Sequence, residues 1–95
     1  MITSKQRAVL RSIANTTRPI FQIGKAGITD DMLVQFDEAL EARELIKVTL
    51  LETAPMTAKE AIQIVCAAVG ADAVQTIGRK FAIYRESKEH KTIEI

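Results

Sequence analysis

Three threonines set the framework of this chain, because each stands at the start of a segment with helical spacing of apolar residues. Thr3 and Thr57 are followed three positions later by Gln6 and Glu60, a capping-box pattern in which the paired side chains satisfy free backbone N–H groups. Thr29 is a strong N-cap by itself, because its hydroxyl oxygen accepts a hydrogen bond from the first helical turn. The sequence therefore predicts three helices, one after each threonine.

The apolar spacing gives these helices their extent. The first is predicted over residues 4–15, where Arg18-Pro19 then prevents continuation. The second carries Leu33, Phe36 and Leu40 on one face. The third ends at Gly70, since glycine readily adopts the left-handed conformation that terminates a helix.

Four short apolar segments predict strands, at residues 20–23, 45–51, 73–77 and 81–85. Gly78-Arg79-Lys80 joins the last two as a hairpin. The order α-β-α-β-α-β-β indicates an α/β or α+β fold, with a mixed four-stranded sheet and helices packed on it. Right-handed crossovers would make three strands parallel, the hairpin would add an antiparallel strand, and the helices would cover one face of the sheet.

Length bounds the organisation, because 95 residues favour one domain over two. We expect that domain at residues 1–86, followed by a polar C-terminal tail at residues 87–95, of which residues 92–95 could add an edge strand. The first residues lack an apolar signal core, and no run is long enough to span a bilayer. We therefore expect a cytoplasmic protein with no membrane partner.

Charge is unevenly distributed, although the net charge is only +1. Residues 1–27 contain five basic side chains and no acidic one, whereas residues 28–60 contain eight acidic and three basic side chains. The last third of the chain is again slightly basic. If folding brings the two ends together, the protein acquires a basic face, which is typical of nucleic-acid binders. The alternative is that solvated charges merely fell this way.

No catalytic or metal-binding group stands out. Cys66 lies in an apolar helical stripe, where cysteine behaves as a small hydrophobe, and His90 lies in the charged tail with no group to orient it. Asp30 and Asp31 are explained by the positive end of a helix dipole. Neither a phosphate-binding Walker loop nor a dinucleotide fingerprint is present. We expect no cofactor, no metal and no enzymatic activity.

The remaining candidate is the loop Gly24-Lys25-Ala26-Gly27, between a strand and a capped helix. Two glycines permit unusual backbone dihedrals and close approach of a polymer, and free N–H groups at a helix start attract phosphate. KH domains clamp single-stranded nucleic acid with a G-x-x-G loop. The alternative is that the two glycines only make a strand-to-helix turn.

The chain also resembles a known family through three motifs in order. They are residues 18–29 (RPIFQIGKAGIT), residues 39–41 with 44–48 (ALE and ELIKV), and Ile77-Gly78-Arg79 with Tyr84-Arg85. Together they are similar to the CRM domain, the chloroplast RNA splicing and ribosome maturation domain, in its stand-alone bacterial YhbY-like form. The resemblance spans roughly residues 4–86.

The resemblance implies a fold like the C-terminal domain of translation initiation factor three, RNA binding through the glycine loop, and association with ribosomal RNA in precursors of the large subunit. We expect a monomer. Combining resemblance and charge, the expected RNA-binding residues are Gly24, Lys25, Ala26, Gly27, Arg18, Arg79, Lys80, Arg85, Arg7 and Arg11. Two positions depart from the family pattern: Ala26 replaces a polar residue or glycine, and Arg43 replaces a common histidine.

Two alternatives stay open from the residues alone. A DNA-binding protein would use the same phosphate contacts, and only contacts to the 2′-hydroxyl separate the two polymers. A protein-interaction module would use the last strand or the helix that carries Leu33 and Phe36. Aromatic content is 4%, so base stacking should be limited and sequence specificity low.

Overall fold

The computed structural model describes residues 2–95. Its seven elements are α1 (Ser4–Thr16), β1 (Phe21–Ile23), α2 (Asp30–Arg43), β2 (Leu45–Leu50), α3 (Ala58–Val69), β3 (Asp72–Ile77) and β4 (Lys80–Tyr84). The predicted order of helices and strands is confirmed. Among the described residues, no helix has the length and apolar character needed to cross a membrane.

The helix ends confirm the capping predictions. The hydroxyl oxygens of Thr3 and Thr57 accept from the backbone N–H three residues later, and each reciprocal bond of the capping box is also made. Thr29 accepts from Met32 in the same way. Gly70 ends α3 in the left-handed conformation, with φ of +68°. Local sequence therefore determines where all three helices begin.

The sheet has the strand order β1-β2-β4-β3. β1 pairs with β2 in parallel, whereas β4 is antiparallel to both β2 and β3. Consequently β1, β2 and β3 all run in one direction, as predicted, with one antiparallel strand. The insertion of β4 between β2 and β3 confines parallel hydrogen bonding to β1 and β2.

Helices cover both faces of the sheet, so the prediction of one covered face is wrong. On one face, α2 and α3 bury Phe36 and Val65 in a core with Ile46, Phe81 and Ile83. On the other face, a second core contains Leu10 and Ala14 of α1 packed with strand residues Leu45, Val74, Ala82 and Tyr84. The physical reason lies in β4, where four consecutive residues are buried and thus supply apolar side chains to both faces.

The C-terminal segment contains no strand, but it is held firmly. The carboxylate of Glu44 accepts hydrogen bonds from the backbone N–H groups of Ser87, Thr92 and Ile93. Glu41 accepts from Ser87 Oγ and from two further backbone N–H groups of the tail. Ile93 also packs against the α1 core. The polar tail predicted at residues 87–95 is therefore anchored to the C-terminal end of α2 by two carboxylates, Glu41 in the helix and Glu44 at its C-cap.

Candidate nucleic-acid interface

The glycine loop is a tight turn after β1, in which the Gly27 N–H donates to the Gly24 carbonyl at 2.9 Å. Gly27 has φ of +72°, and a side-chain carbon added there would lie 3.3 Å from Pro55 Cγ. A carbon added at Gly24 would meet Leu51 Cδ1 at 3.4 Å. Gly27 thus makes room for the β2–α3 loop of the protein itself, whereas a side-chain carbon at Gly24 would make an ordinary contact. The exposed tip of the turn is formed by Lys25 and Ala26.

The fold brings Lys25 together with the basic hairpin at one end of the sheet. β1 and β2 both end there, with the Leu51 N–H bonded to the Ile23 carbonyl at 2.9 Å. The β3–β4 hairpin reaches the same end, because the Arg79 carbonyl accepts from Leu50 and Lys80 pairs with Thr49. We call this region the carboxyl end of the sheet.

The three cations of this region, Lys25, Arg79 and Lys80, are all exposed. Within residues 2–95, salt bridges join only Arg85 to Asp37 and Lys91 to Glu86. These three side chains therefore carry positive charge that no carboxylate of the described residues neutralises through a salt bridge. Lys25 is more than fifty residues away from Arg79 and Lys80 along the chain.

A row of side chains crosses the sheet through Lys80, and sequence reasoning missed its three other members. Gln22 pairs with Thr49, Thr49 with Lys80, and Lys80 with Ile77, so one residue from each strand points to the same face. This face is the one that α1 covers further along the strands. Three members are exposed, Ile77 at 60%, and Thr49 is half-buried. We call it the open row; its sequence signal is limited to Gln22 and Thr49, which are polar residues between apolar neighbours in β1 and β2.

Arg7 and Arg11 lie elsewhere and bind backbone. Their Nε atoms donate to the carbonyls of Ala73 and Val74, at 3.0 and 3.4 Å. β3 is an outer strand, and such unpaired carbonyls invite pairing with another chain unless they are covered. The two arginines therefore tie α1 to β3 and occupy two backbone carbonyls of this outer strand. Arg18 is exposed and precedes β1, at the opposite end of that strand from the glycine turn.

Arg85 is also separated from the turn, at the far end of β4. Its Nη1 pairs with the Asp37 carboxylate and donates to the Val69 carbonyl at 3.0 Å, while Nη2 donates to the Asp37 carbonyl at 3.0 Å. This guanidinium joins α2, the end of α3 and β4. Its contacts are those of a structural residue, and they leave little of it for a ligand.

The N-terminus of α2 is a weaker phosphate-binding site than the sequence predicted. Asp30 and Asp31 occupy its first turn, and the Thr29 hydroxyl already accepts from Met32. The two carboxylates complement the positive end of the helix dipole and would repel a phosphate placed there. Attraction for phosphate at the carboxyl end of the sheet must come from Lys25, Arg79 and Lys80.

The side chains considered as catalytic or metal-binding candidates, Cys66 and His90, lie where the described residues offer them no catalytic partner. Burial raises the pKa of the Cys66 thiol to about 11, with a smaller contribution from Asp72, so the thiol is protonated at neutral pH. His90 lies in the tail, where its backbone N–H donates to Ser87 Oγ. Within residues 2–95, no three His, Cys, Asp or Glu side chains converge in a way that could hold a metal ion.

The surfaces that the protein-interaction alternative requires are occupied. Phe36 is fully buried in the core, and Leu33 packs against that core. β4, the last strand, lies between β2 and β3 and has no free edge. In this fold, neither the face of α2 that carries Leu33 and Phe36 nor an edge of β4 is free to dock a partner.

Comparison with known proteins gives a consistent answer. The family model described as CRS1 / YhbY (CRM) domain matches residues 2–85. A Bacillus subtilis protein named probable RNA-binding protein YqeI is 45% identical over 95 residues, which cover 100% of this chain and 99% of that protein. A Haemophilus influenzae protein named RNA-binding protein is 32% identical over 90 residues, 95% of this chain and 91% of that one. The solution structure of the hypothetical protein SAV1595 from Staphylococcus aureus superposes with a TM-score of 0.83 at 48% identity, covering 100% of this chain and 99% of that chain.

Proposed function

This chain belongs to the CRS1/YhbY (CRM) domain family, and we propose that it is an RNA-binding protein that uses the carboxyl end of its sheet. The observation that carries the proposal is the convergence there of Lys25, Arg79 and Lys80, exposed and without carboxylate partners in residues 2–95. Relatives along the whole chain are named as RNA-binding proteins, which supports RNA as the ligand. Lysine and arginine that neutralise phosphates supply most of the affinity in such interfaces.

Recognition would rest on charge and shape more than on bases. Phe36 and Phe81 are fully buried and Tyr84 is 5% exposed, so these rings cannot stack on bases. The open row adds the Gln22 and Thr49 side chains, which can hydrogen-bond to ribose hydroxyls or phosphates. Ala26 keeps the tip of the glycine turn small, so that an RNA backbone can approach closely beside Lys25.

We further propose that the physiological ligand is ribosomal RNA in precursors of the large subunit, bound by a cytoplasmic monomer. The family resemblance motivates this assignment. Three free cations give modest affinity for extended RNA, whereas folded RNA that presents several phosphates together would engage them at once. A precursor particle offers such RNA, and later packing of the particle would displace the protein.

The binding site is tested by salt dependence. Three phosphate contacts predict that log affinity falls against log salt with a slope of about −2 to −3, and Lys25→Ala should reduce that slope by about one. Lys88→Ala, an exposed cation of the anchored tail, is the matched control and should leave the slope unchanged. Fluorescence anisotropy with labelled RNA measures both. Affinity independent of salt between about 50 and 200 mM would contradict the electrostatic site.

The turn is tested at its exposed tip, because Gly27 is buried and a substitution there would disturb the fold. Ala26→Asp adds a carboxylate where the RNA backbone should pass, and we expect affinity to fall about tenfold, or about 1.4 kcal/mol. Circular dichroism checks that the variant is folded. If folded Ala26→Asp binds RNA like the unchanged protein, the glycine turn is only a turn. Competition with DNA of the same sequence tests the choice of RNA.

The ribosomal assignment is tested by sedimentation of a cell lysate through a sucrose gradient. At low salt the protein should travel at or just below the large-subunit peak, and at high salt it should move to the top. Ala26→Asp should reduce the fraction of the protein that sediments with the large subunit. A protein that stays at the top at every salt concentration, even after crosslinking, would refute the ribosomal ligand while leaving RNA binding intact.

A further inference from the structure

A cleft of about 340 Å³ opens beside the glycine turn, between the β2–α3 loop and the β3–β4 hairpin. Leu51, Ala54 and Met56 form its apolar lining, and Glu52 and Arg79 are the charged residues at its rim. The cleft and the turn share a wall, because Gly24 packs toward Leu51 and Gly27 toward Pro55 and Met56. We call it the hairpin cleft.

The lining of the hairpin cleft has a definite chemistry. Apolar side chains form its body, one guanidinium supplies a cation, and one carboxylate supplies a hydrogen-bond acceptor. Such a cleft suits a flat group with apolar faces, N–H donors on its edge and a phosphate attached. Its volume is at the lower end of the roughly 300–1,000 Å³ of clefts that hold small molecules. One nucleotide fits this description.

We propose that the hairpin cleft receives one unpaired nucleobase of the bound RNA, an inference that rests on the proposed RNA binding. Arg79 lies at the carboxyl end of the sheet and also lines the cleft, so a phosphate held there brings its own base to the opening. Glu52 repels phosphate and accepts N–H groups, which turns the donor edge of the base toward Glu52 and the phosphate toward Arg79. Bases with an exocyclic amino group, such as cytosine, suit this carboxylate best.

This site predicts selectivity for RNA structure. A paired base inside a continuous helix cannot enter a cleft without leaving its stack, which costs free energy, whereas a bulged or looped nucleotide is already free. The protein should therefore prefer RNA with an unpaired nucleotide over the matched, fully paired RNA. Since no aromatic ring lines the cleft, the preference should be moderate.

The test compares two labelled RNA hairpins that differ by a single bulged cytosine in the stem, measured by fluorescence anisotropy at one salt concentration. We expect the bulged RNA to bind about tenfold more tightly. Leu51→Ala removes much of an apolar wall and should reduce this ratio to about threefold or less. Ile64→Ala removes the same number of carbons from an exposed position of α3 outside the cleft, and the ratio should stay at its original value.

Each outcome separates the two proposals. If neither hairpin binds, the proposed RNA binding fails and the base site fails with it. If both bind equally, RNA binding stands and the base site is refuted. A preference that Leu51→Ala leaves unchanged, or that Ile64→Ala reduces equally, also refutes the cleft as its origin. Should circular dichroism show that Leu51→Ala is unfolded, Glu52→Gln, at an exposed position, provides the second variant. If Glu52→Gln leaves the ratio of affinities for bulged cytosine and bulged uracil unchanged, the proposal is overturned.

Discussion

Replacing Glu44 by glutamine is expected to loosen the C-terminal segment and to lower stability by about 2 kcal/mol. The Glu44 side chain is fully buried, and its two oxygens serve different donors. One accepts from the Ser87 N–H at 2.8 Å, and the other accepts from the N–H groups of Thr92 and Ile93 at 2.6 and 2.7 Å. A glutamine keeps one carbonyl oxygen but turns an NH₂ group toward a donor. At least one hydrogen bond to a charged acceptor is lost, which is worth about 1.5–3 kcal/mol.

The backbone at Glu44 supports the same reasoning. This residue has φ of +67°, the one positive value outside glycine in residues 2–95. Residues in such sparsely populated conformations cost about 1–3 kcal/mol and persist where the surroundings over-determine them. Glycine is the usual residue at such a helix end. We infer that the hydrogen bonds of the glutamate side chain stabilise the fold by more free energy than the backbone strain costs.

Thermal unfolding provides the assay. For a domain of this size 1 kcal/mol shifts Tm by about 4–8 °C, so Glu44→Gln should melt about 10 °C lower at pH 7. Glu38→Gln removes the same charge from an exposed position of α2 and should change stability by less than about 0.5 kcal/mol. Because this perturbation is remote from the carboxyl end of the sheet, RNA affinity of the folded variant should be unchanged.

The pKa of Glu44 determines how its contribution to stability changes with pH. Burial raises the pKa of Glu44, but the N–H donors of Ile93, Ser87 and Thr92 outweigh it and hold the pKa below its ordinary value of 4.5. A carboxylate with a depressed pKa stabilises the fold fully above about 4.5, and the contribution is lost as pH falls through the folded pKa. The difference between the unchanged protein and Glu44→Gln should therefore narrow below pH 4.5. A Tm change no larger than that of Glu38→Gln, or a gap that widens in acid, would refute the anchor.

Three further outcomes are expected from single positions. Gly27→Ala should cost about 1–2 kcal/mol in urea unfolding from its positive φ, plus the crowding against Pro55, whereas Gly70→Ala at a similar φ in open space should cost the strain alone. Arg85→Lys should lower Tm without changing RNA affinity, because a lysine cannot reproduce the forked contacts to α2 and α3. Cys66, with its pKa raised to about 11, should react with iodoacetamide at pH 8 much more slowly in the folded than in the urea-unfolded protein.

The helices were predictable because their signals are local. A threonine and its partner three residues later lie within one turn, so each helix start is encoded within a few residues. The position of β4 between β2 and β3 was not predictable from the sequence, because strand neighbours depend on pairings between distant segments. The consecutive apolar residues Phe81–Tyr84 did carry a usable signal, since a strand buried on both faces requires a helix on each.

The candidate site was predictable only in part, for a physical reason. A guanidinium can donate to a phosphate of a ligand or to a carbonyl of its own chain, and sequence does not reveal which carbonyls the fold brings within reach. Lys25 and Arg79 form no salt bridge with any residue the structure describes, whereas Arg7, Arg11 and Arg85 donate to carbonyls of the protein. The anchored tail was missed because Glu44 and its partners are more than forty residues apart along the chain.

Charge placement would then restrict how RNA lies on the proposed site. α1 carries three basic residues and no acidic one, whereas α2 on the opposite face carries five acidic residues and one basic. A polyanion is therefore attracted toward the α1 face and repelled from α2. At the carboxyl end of the sheet, Asp30 and Asp31 close the side nearest α2. The path left open runs from Lys80 and the open row around the hairpin at Arg79 to its cleft. RNA following that path would pass the tip of the glycine turn at Lys25 without meeting the start of α2, so the proposed site would hold RNA in one orientation although the net charge of the chain is only +1.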